Sequence, residues 1–435
     1  VEFLIRLIAR AGGPFVLALD SPWGTGKTTL VRMLEAELKR QSFCCISLNA
    51  WQVDYATDPL VALVSSIDRH EFGTGTAAAC FQEHWAEVRR ITSVVAKRPH
   101  PAAAGAVTGE PPDPAQAVKS AGLPGEPVND ILGAFQQEGV LLEKLRAELE
   151  KAIEQLPVMG KQSTLVFFVD EIDRCRPTYA IELLERIKHL FDVPNLLFVL
   201  SLDNKQLEAS VAAVYGPNIN ATEFLRPFID LEYAIPLVQT RQFVESLLSR
   251  FQLDALFTRR THTELRYDRA DFIRFFGALA DAIPLSLRAQ ERCVTRFRGV
   301  LDQSPADQLL DPLLVALLFI IRTHEPLLYA MLCQGVASAK EVMNYMGSLL
   351  GGKKIVADCT GVVIEAYLLA ADENRERKEA AVNAVIATAQ NGKSPDSHRA
   401  LELLDMLQHL ERPRRGVLRL SQITGKIDLA AGLRE

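Results

Sequence analysis

Five short stretches of the chain read as strands: the largely apolar FVLALD (15–20), FCCISLNAW (43–51), TLVFFVD (164–170) and NLLFVLSLD (195–203), and a last, shorter one, DLEYAIP (230–236). Each has the length of a strand. Between them the apolar positions fall at three- and four-residue spacing, the period of an amphipathic helix. Examples are LVRMLEAELKR (30–40), the segment 80–96, and the long run around LLEKLRAELEKAIEQL near 130–156. Residues 2–10 also read as a short helix. DPLVALVSSI (58–67) opens with Asp-Pro, and helix 178–191 follows Pro177 with Ile181, Leu184, Ile187 and Phe191 on one face; proline suits a first helical turn. Strands without alternation, separated by helices, predict a parallel sheet buried on both faces. The expected fold class is α/β, a parallel five-stranded sheet flanked by helices. From about 237 onward only helical periodicity remains. The predicted organisation is a core over 1–236, a helical lid over 237–304 and a C-terminal helical domain over 305–435. Breaks are expected at GGKK (351–354) and NGKSPDS (391–397), and no internal repeat is visible. Within the core, residues 97–129 are crowded with Pro, Ala and Gly and lack periodicity, which predicts a flexible, partly disordered insert.

Composition narrows the picture only slightly. At 435 residues, 48% of them hydrophobic, the chain can bury a large core and hold two or three domains. A formal net charge of −6 argues against strong general affinity for nucleic acid, while leaving a local basic patch open. The seven cysteines are scattered without a C-x-x-C pair, so a metal site is not expected and a reduced, cytoplasmic location is. Cys44 and Cys45 are expected on opposite faces of one strand. No signal peptide is visible. The longest apolar run, LLVALLFII (313–321), is far short of the ~20 residues a membrane helix needs. The chain opens on Val1 rather than Met, so residues can precede it.

The candidate chemistry sits at the ends of the strands. Directly after FVLALD comes SPWGTGKT (21–28), a Gly-rich turn leading into a helix. This is the context of a phosphate-binding loop. Backbone N–H groups of Gly24 to Thr28 can point into one concavity, and the positive end of the helix adds to them. Trp23, Gly24, Thr25, Gly26, Lys27, Thr28 and Thr29 are the candidate nucleotide-binding residues. Lys27 would reach the β- and γ-phosphates and Thr28 would ligate Mg²⁺. The pattern G-x-x-x-x-G-K-[ST] begins with Gly, and here Ser21 stands there. Ser accepts positive φ less readily, so a different entrance to the turn is expected.

LVFFVDEID (165–173) places acids at the C-terminal end of a buried strand. Asp170 would hold Mg²⁺, directly or through water, and Glu171 would activate or orient the attacking water. If NLLFVLSLD lies between the two motif strands, Ser201 and Asp203 face the γ-phosphate; otherwise they are the polar end of a strand. Arg226 is a candidate arginine finger acting on a neighbouring subunit's nucleotide, or else pairs with Asp230 or Glu223. Arg288, Arg292 and Arg296 lie on one helix face; Arg288 is the candidate to reach phosphates from a lid, and a solvated face explains the others. Asn49 can hydrogen-bond the catalytic loop; Trp51 can pack under that loop, but a buried Trp that fills the core is the simpler expectation. NKQL (204–207) lacks the Asp of guanine-specific N-K-x-D sites, which favours adenine. No HRD and DFG pair, Ser-His-Asp set or metal-ligand cluster stands out.

Together, PWGTGKTTL, SLNAW, VFFVDEIDRCRP, ELLERIKHLFDVPNLLFVLSLD and EFLRPFIDLEY, in that order, resemble the KAP family of P-loop NTPases over about residues 1–302. The Asn-Ala-Trp and the D-x-x-D-R at 170–174 are its most distinctive parts. The resemblance implies an ATP-hydrolysing core using Mg²⁺, an added strand between the two Walker motifs, helical C-terminal extensions and, in many members, oligomers. Bacterial members resemble components of anti-phage defence or plasmid-borne exclusion systems. Two departures matter. Many members carry transmembrane helices where this chain has its Pro/Ala-rich insert, so no membrane association is expected. Where the family often has a second Asp, Glu171 stands, which favours active hydrolysis. The expectation is an ATP-hydrolysing switch or motor subunit, partnered by copies of itself and by an effector encoded nearby. A nucleotide-gated scaffold with negligible turnover and a DNA-dependent ATPase remain as alternatives.

Overall fold

The computed structural model describes residues 1–70, 72, 75–96, 128–236, 238–259, 268–283, 285–306, 312–349, 351–390, 394–410 and 420–432. The expected flexible insert, apart from residues 128 and 129, and residues 391–393 of the NGKSPDS break lie outside that set. The chain divides into two compact units, Val1–Pro236 and Leu237–Glu435.

In the first unit the five stretches become β1 (Phe15–Asp20), β2 (Cys44–Asn49), β3 (Leu165–Asp170), β4 (Leu196–Leu202) and β5 (Leu231–Ala234). They form one parallel sheet in the order β2-β3-β4-β1-β5. The strand order explains the unbroken hydrophobicity. β3, β4 and β1 are interior strands with helices on both sides, so neither face can be polar. Alternate residues still part to opposite faces. Leu17, Leu19, Cys45, Val166, Phe168, Leu197 and Val199 join the core beneath α1 (Glu2–Arg10) and α2 (Lys27–Arg40). Val16, Ala18, Cys44, Phe167, Val169, Phe198 and Leu200 join the core on the other face. There they meet α3 (Pro59–Asp68), α4 (Thr76–Val95), α5 (Val128–Ile153) and α6 (Pro177–Leu190). Cys44 and Cys45 thus separate as the alternation predicts. The start of α3 is set locally: Asp58 accepts from Leu60 N at 2.8 Å, and Pro59 takes the first helical position.

Phe167 is fully buried and stacks on Phe198 with ring centroids 5.2 Å apart. Phe167→Ala removes this contact and leaves a void between sheet and helices. A loss of about 3–5 kcal/mol is expected, read from denaturant unfolding of the first unit. A change under about 1 kcal/mol would mean that the sheet core is looser than drawn.

The second unit is helical among its described residues. The run 313–321 forms most of helix Pro312–His324, and all nine of its residues are buried. A helix apolar on all sides belongs inside a core, and here the surrounding helices supply it. Side chains on both sides of residue 304, from Val244 to Ala430, share that one cluster. Gly351 marks a break before helix Gly352–Ala357. No helix among the described residues is long and apolar enough to cross a membrane.

Candidate nucleotide site

β1 ends at Asp20, whose carboxylate accepts from Asn204 N at 2.8 Å, and Ser21 N donates to Leu202 O at 3.2 Å. These bonds tie the loop's entrance to the end of β4. Beyond it the chain needs left-handed backbone twice, at Gly24 (φ 78°) and Gly26 (φ 94°). Glycine is the residue that adopts those angles without strain. Ser21 needs no such angle; its φ is not positive. The side chain is buried, and its hydroxyl donates to Thr25 Oγ1 at 2.6 Å, which in turn donates to Pro22 O at 2.8 Å. The expected irregularity at the entrance is therefore an internal brace. Ser21→Gly removes one neutral hydrogen bond, about 1 kcal/mol of loop stability. Nucleotide affinity should stay within a few-fold, measured by titration with a fluorescent ATP analogue. A much larger loss would mean that the hydroxyl does more than brace the loop.

α2 starts at Lys27 on Gly26, with no side chain capping its first amides. Those N–H groups and the helix dipole face the loop's concavity, an arrangement that favours an anion. Lys27 Nζ donates to Ser21 O at 2.5 Å and lies 3.8 Å from Asp173 Oδ2. Thr28 Oγ1 donates to Asp170 Oδ2 at 2.9 Å. The two candidate metal ligands, 142 positions apart in sequence, therefore meet at the C-terminal edge of the sheet. Thr29, on the same helix, is exposed.

Glu171 follows Asp170 in the left-handed region, at φ 62°. A non-glycine residue held there is strained, and such strain gathers at functional sites. Its carboxylate is held at both oxygens. Asn49 Nδ2 donates to Oε2 at 2.9 Å, and Arg174 Nη1 lies 3.2 Å from Oε1. Asn49 is oriented from its other end, because Oδ1 accepts Gln52 N at 3.1 Å and caps the one-turn helix Ala50–Val53. The expectation for Asn49 is met by this bond. Trp51 is a correction: it is 52% exposed, not buried in the core. The physical reason is a cation. The Arg174 guanidinium lies 5.8 Å from the Trp23 ring centroid and 5.7 Å from that of Trp51. The two indoles keep open faces and gain cation–π attraction, about 0.5–1 kcal/mol each at exposed sites.

β4 lies between β1 and β3, as the conditional expectation for Ser201 required. Ser201 pairs in register with Leu19 on one side and Asp170 on the other. It is fully buried, and its hydroxyl has no hydrogen-bond partner among the described residues. Asp203 caps the following helix, Asn204–Tyr215, without a side-chain cap bond. Its backbone N–H donates to Asp173 Oδ2 at 3.0 Å.

Asp173 is the residue to which sequence reasoning assigned no role. It is buried, and the same Oδ2 accepts the Trp23 indole N–H at 2.6 Å. Burial pushes its carboxyl above the ordinary carboxylate range, although Trp23 and the Lys27 ammonium pull the other way. It thus links the loop (Trp23, Lys27), the end of β3 and the end of β4. Its place in the D-x-x-D-R segment was the available signal.

Arg226 is 78% exposed in its side chain and pairs with Glu223 at 3.5 Å. The other expected partner, Asp230, is occupied by Lys188 at 3.1 Å and by Val16 N at 2.8 Å. Arg288 lies exposed on helix Leu287–Asp302 of the second unit, with Arg292 exposed and Arg296 half-buried on the same helix.

A left-handed Gly-x-Gly turn entering a helix at Lys-Thr, with Thr28 bonded to an acid ending a neighbouring strand, is a P-loop geometry. The model of the KAP family P-loop domain matches residues 2–298. The chain belongs to the KAP family. The KAP match covers the first unit from Glu2 onward and continues into the second as far as helix Leu287–Asp302. Membership makes this chain a P-loop NTPase, with the nucleotide-binding and hydrolysing function of that class. A search of curated protein sequences returns no match to the chain.

Proposed function

We propose that this chain binds ATP with Mg²⁺ and hydrolyses it, acting as a conformational switch or motor subunit within a multiprotein assembly. The observation that carries the reading is the Thr28–Asp170 contact at 2.9 Å, flanked by Lys27 and Glu171. A hydroxyl and a carboxylate at the edge of a phosphate loop form a hard oxygen set, which suits Mg²⁺ bound jointly by protein and phosphates. Thr28 and Asp170 would hold the ion; once bound, it would neutralise charge developing on the transferred phosphoryl group. The remaining work falls to the chain. The amides of Gly24 to Thr28 bind phosphate oxygens. Lys27 exchanges the Ser21 carbonyl for a phosphate oxygen. Glu171 takes a proton from the attacking water, with Asn49 and Arg174 fixing its carboxylate. Ser201 offers an uncommitted hydroxyl toward the same strand edge, and Asp203 stands beside it. The NKQL segment supports adenine over guanine. The resemblance to bacterial defence ATPases supports an effector protein as the partner in that assembly.

Phosphate release from Mg-ATP by the purified chain tests the reading. Turnover that is absent with copies of the chain and with its neighbouring gene product present would reject it. The subunit arrangement has its own test. Among the described residues Arg226 has only Glu223 as an ion partner, and it can reach outward, so we expect Arg226→Ala to lower turnover by roughly a thousandfold. Mixing Arg226→Ala with Glu171→Gln subunits should restore part of the rate, since each supplies what the other lacks. Mixtures as inactive as their components would show that Arg226 does not act in trans.

A second reading, the nucleotide-gated scaffold, is favoured by one observation: Glu171 is tethered at both oxygens. Slow turnover that Asn49→Ala leaves unchanged would support that scaffold.

A further inference from the structure

Among the described residues the sheet has an open edge at β2, which pairs there with β3 alone. In a parallel ladder each strand turns alternate peptide groups toward one neighbour, so half of the β2 groups face away from β3. Among the described residues, the backbone of Cys45 to Leu48 has no hydrogen-bond partner outside the sheet. Along that side runs a groove of about 300 Å³, lined in succession by Cys45, Ile46, Ser47, Leu48 and Asn49. Its walls are polar side chains, Glu35 and Lys39 from α2, Ser66 from α3, and Arg69 and His70 just past the end of α3. Unpaired edges with this access accept a strand from another chain.

The charge of the walls indicates what kind of strand. Lys39 is paired with Glu35 at 2.7 Å. Arg69 is exposed and bonds only to uncharged groups, Ser65 O at 3.3 Å and Ser66 Oγ at 3.3 Å. It has no carboxylate partner among the described residues. Lys161 adds positive potential beside Cys44 and Cys45, against the Glu35 carboxylate at Cys45. The edge therefore combines free peptide groups with a surplus of cations.

We infer that the β2 edge binds an extended, acidic segment of a partner protein, which adds to the sheet as a further strand with a carboxylate opposite Arg69. Main-chain bonds would supply affinity and the carboxylate would set the register. The groove ends at Asn49, whose amide holds Glu171, so such a strand would end one side chain away from that carboxylate. Binding of the strand does not depend on whether the chain hydrolyses ATP.

The test uses the full chain as bait for a displayed random-peptide library. The best synthetic peptide is then followed by amide hydrogen exchange and by binding titration. Recovered peptides should be rich in Asp or Glu among β-forming residues. Peptide should slow exchange at residues 44–49, and affinity should fall as salt is raised. Arg69→Glu should weaken binding about tenfold or more, since it sets like charges against each other. Arg69→Ala, a milder change at an exposed position just past the end of α3, should fall between, with both variants melting as the parent does. No recovered peptide, protection elsewhere with β2 unchanged, or equal affinity for Arg69→Glu and parent would each overturn the inference.

Discussion

Lys27→Ala should remove most nucleotide affinity and nearly all turnover. The ammonium is the one side-chain cation inside the loop, held between Ser21 O and the buried Asp173. A hydrogen bond to a charged group contributes about 1.5–3 kcal/mol. Binding should therefore weaken roughly ten- to a hundredfold. The rate should fall further, by about 10²–10³, because Lys27 also meets charge that grows during phosphoryl transfer. Binding is read by titration with a fluorescent ATP analogue, the rate by phosphate release. Affinity unchanged within about twofold would mean that the loop does not cradle phosphate.

The same substitution carries a pH signature through Asp173. Burial holds this carboxyl above its ordinary value of 3.8, so the folded state favours its protonated form. A raised acid contributes stability that is fully present below the unfolded pKa. That contribution is lost as pH rises through the folded pKa. Removing Lys27 deletes the neighbouring cation and raises the folded value further. The melting temperature of Lys27→Ala should thus match the parent at the acid end and fall behind it as pH rises. A difference that is constant with pH would show that Lys27 and Asp173 are not coupled.

Glu171→Gln should separate binding from hydrolysis. Glutamine keeps the length of the side chain and an oxygen for Asn49, while giving up the ion pair with Arg174. Arg174 stays between Trp23 and Trp51, so the surroundings are kept. What is lost is the ability to take a proton, worth about 10²–10⁴ in rate. Nucleotide affinity should hold within a few-fold. Hydrolysis at the parent's rate would remove Glu171 from the reaction and turn attention to Asp203.

Much of this site was readable from the chain alone. The loop at 21–28 announces itself because a strand, two glycines and a helix start must follow one another to build it. Asp170 and Glu171 are readable because an acid ending an unbroken apolar run can only stand at a sheet edge. Asp173 was not readable as a hub. Its partners come from two other places in the sequence, Trp23 and Lys27 from the loop and Asp203 from the end of β4, and only the strand order brings them together. Trp51 misled for a related reason. An indole is usually buried for its area, but here Arg174 offers its ring a partner in water. Ser21 shows the limit at a single residue, since residue type bounds φ without choosing it.

Hydrophobic period and turn chemistry are local properties. By themselves they determined the five strands, the helices between them, the phosphate loop and the acids that end β3. Which side chains meet was decided by the parallel stacking β2-β3-β4-β1-β5. It lays Ser201 between Leu19 and Asp170, brings Asn49 against Glu171, and leaves the outer side of β2 without a strand among the described residues. These are contacts across more than a hundred residues of chain in most cases, and their energy depends on burial and pairing that no stretch of sequence possesses alone.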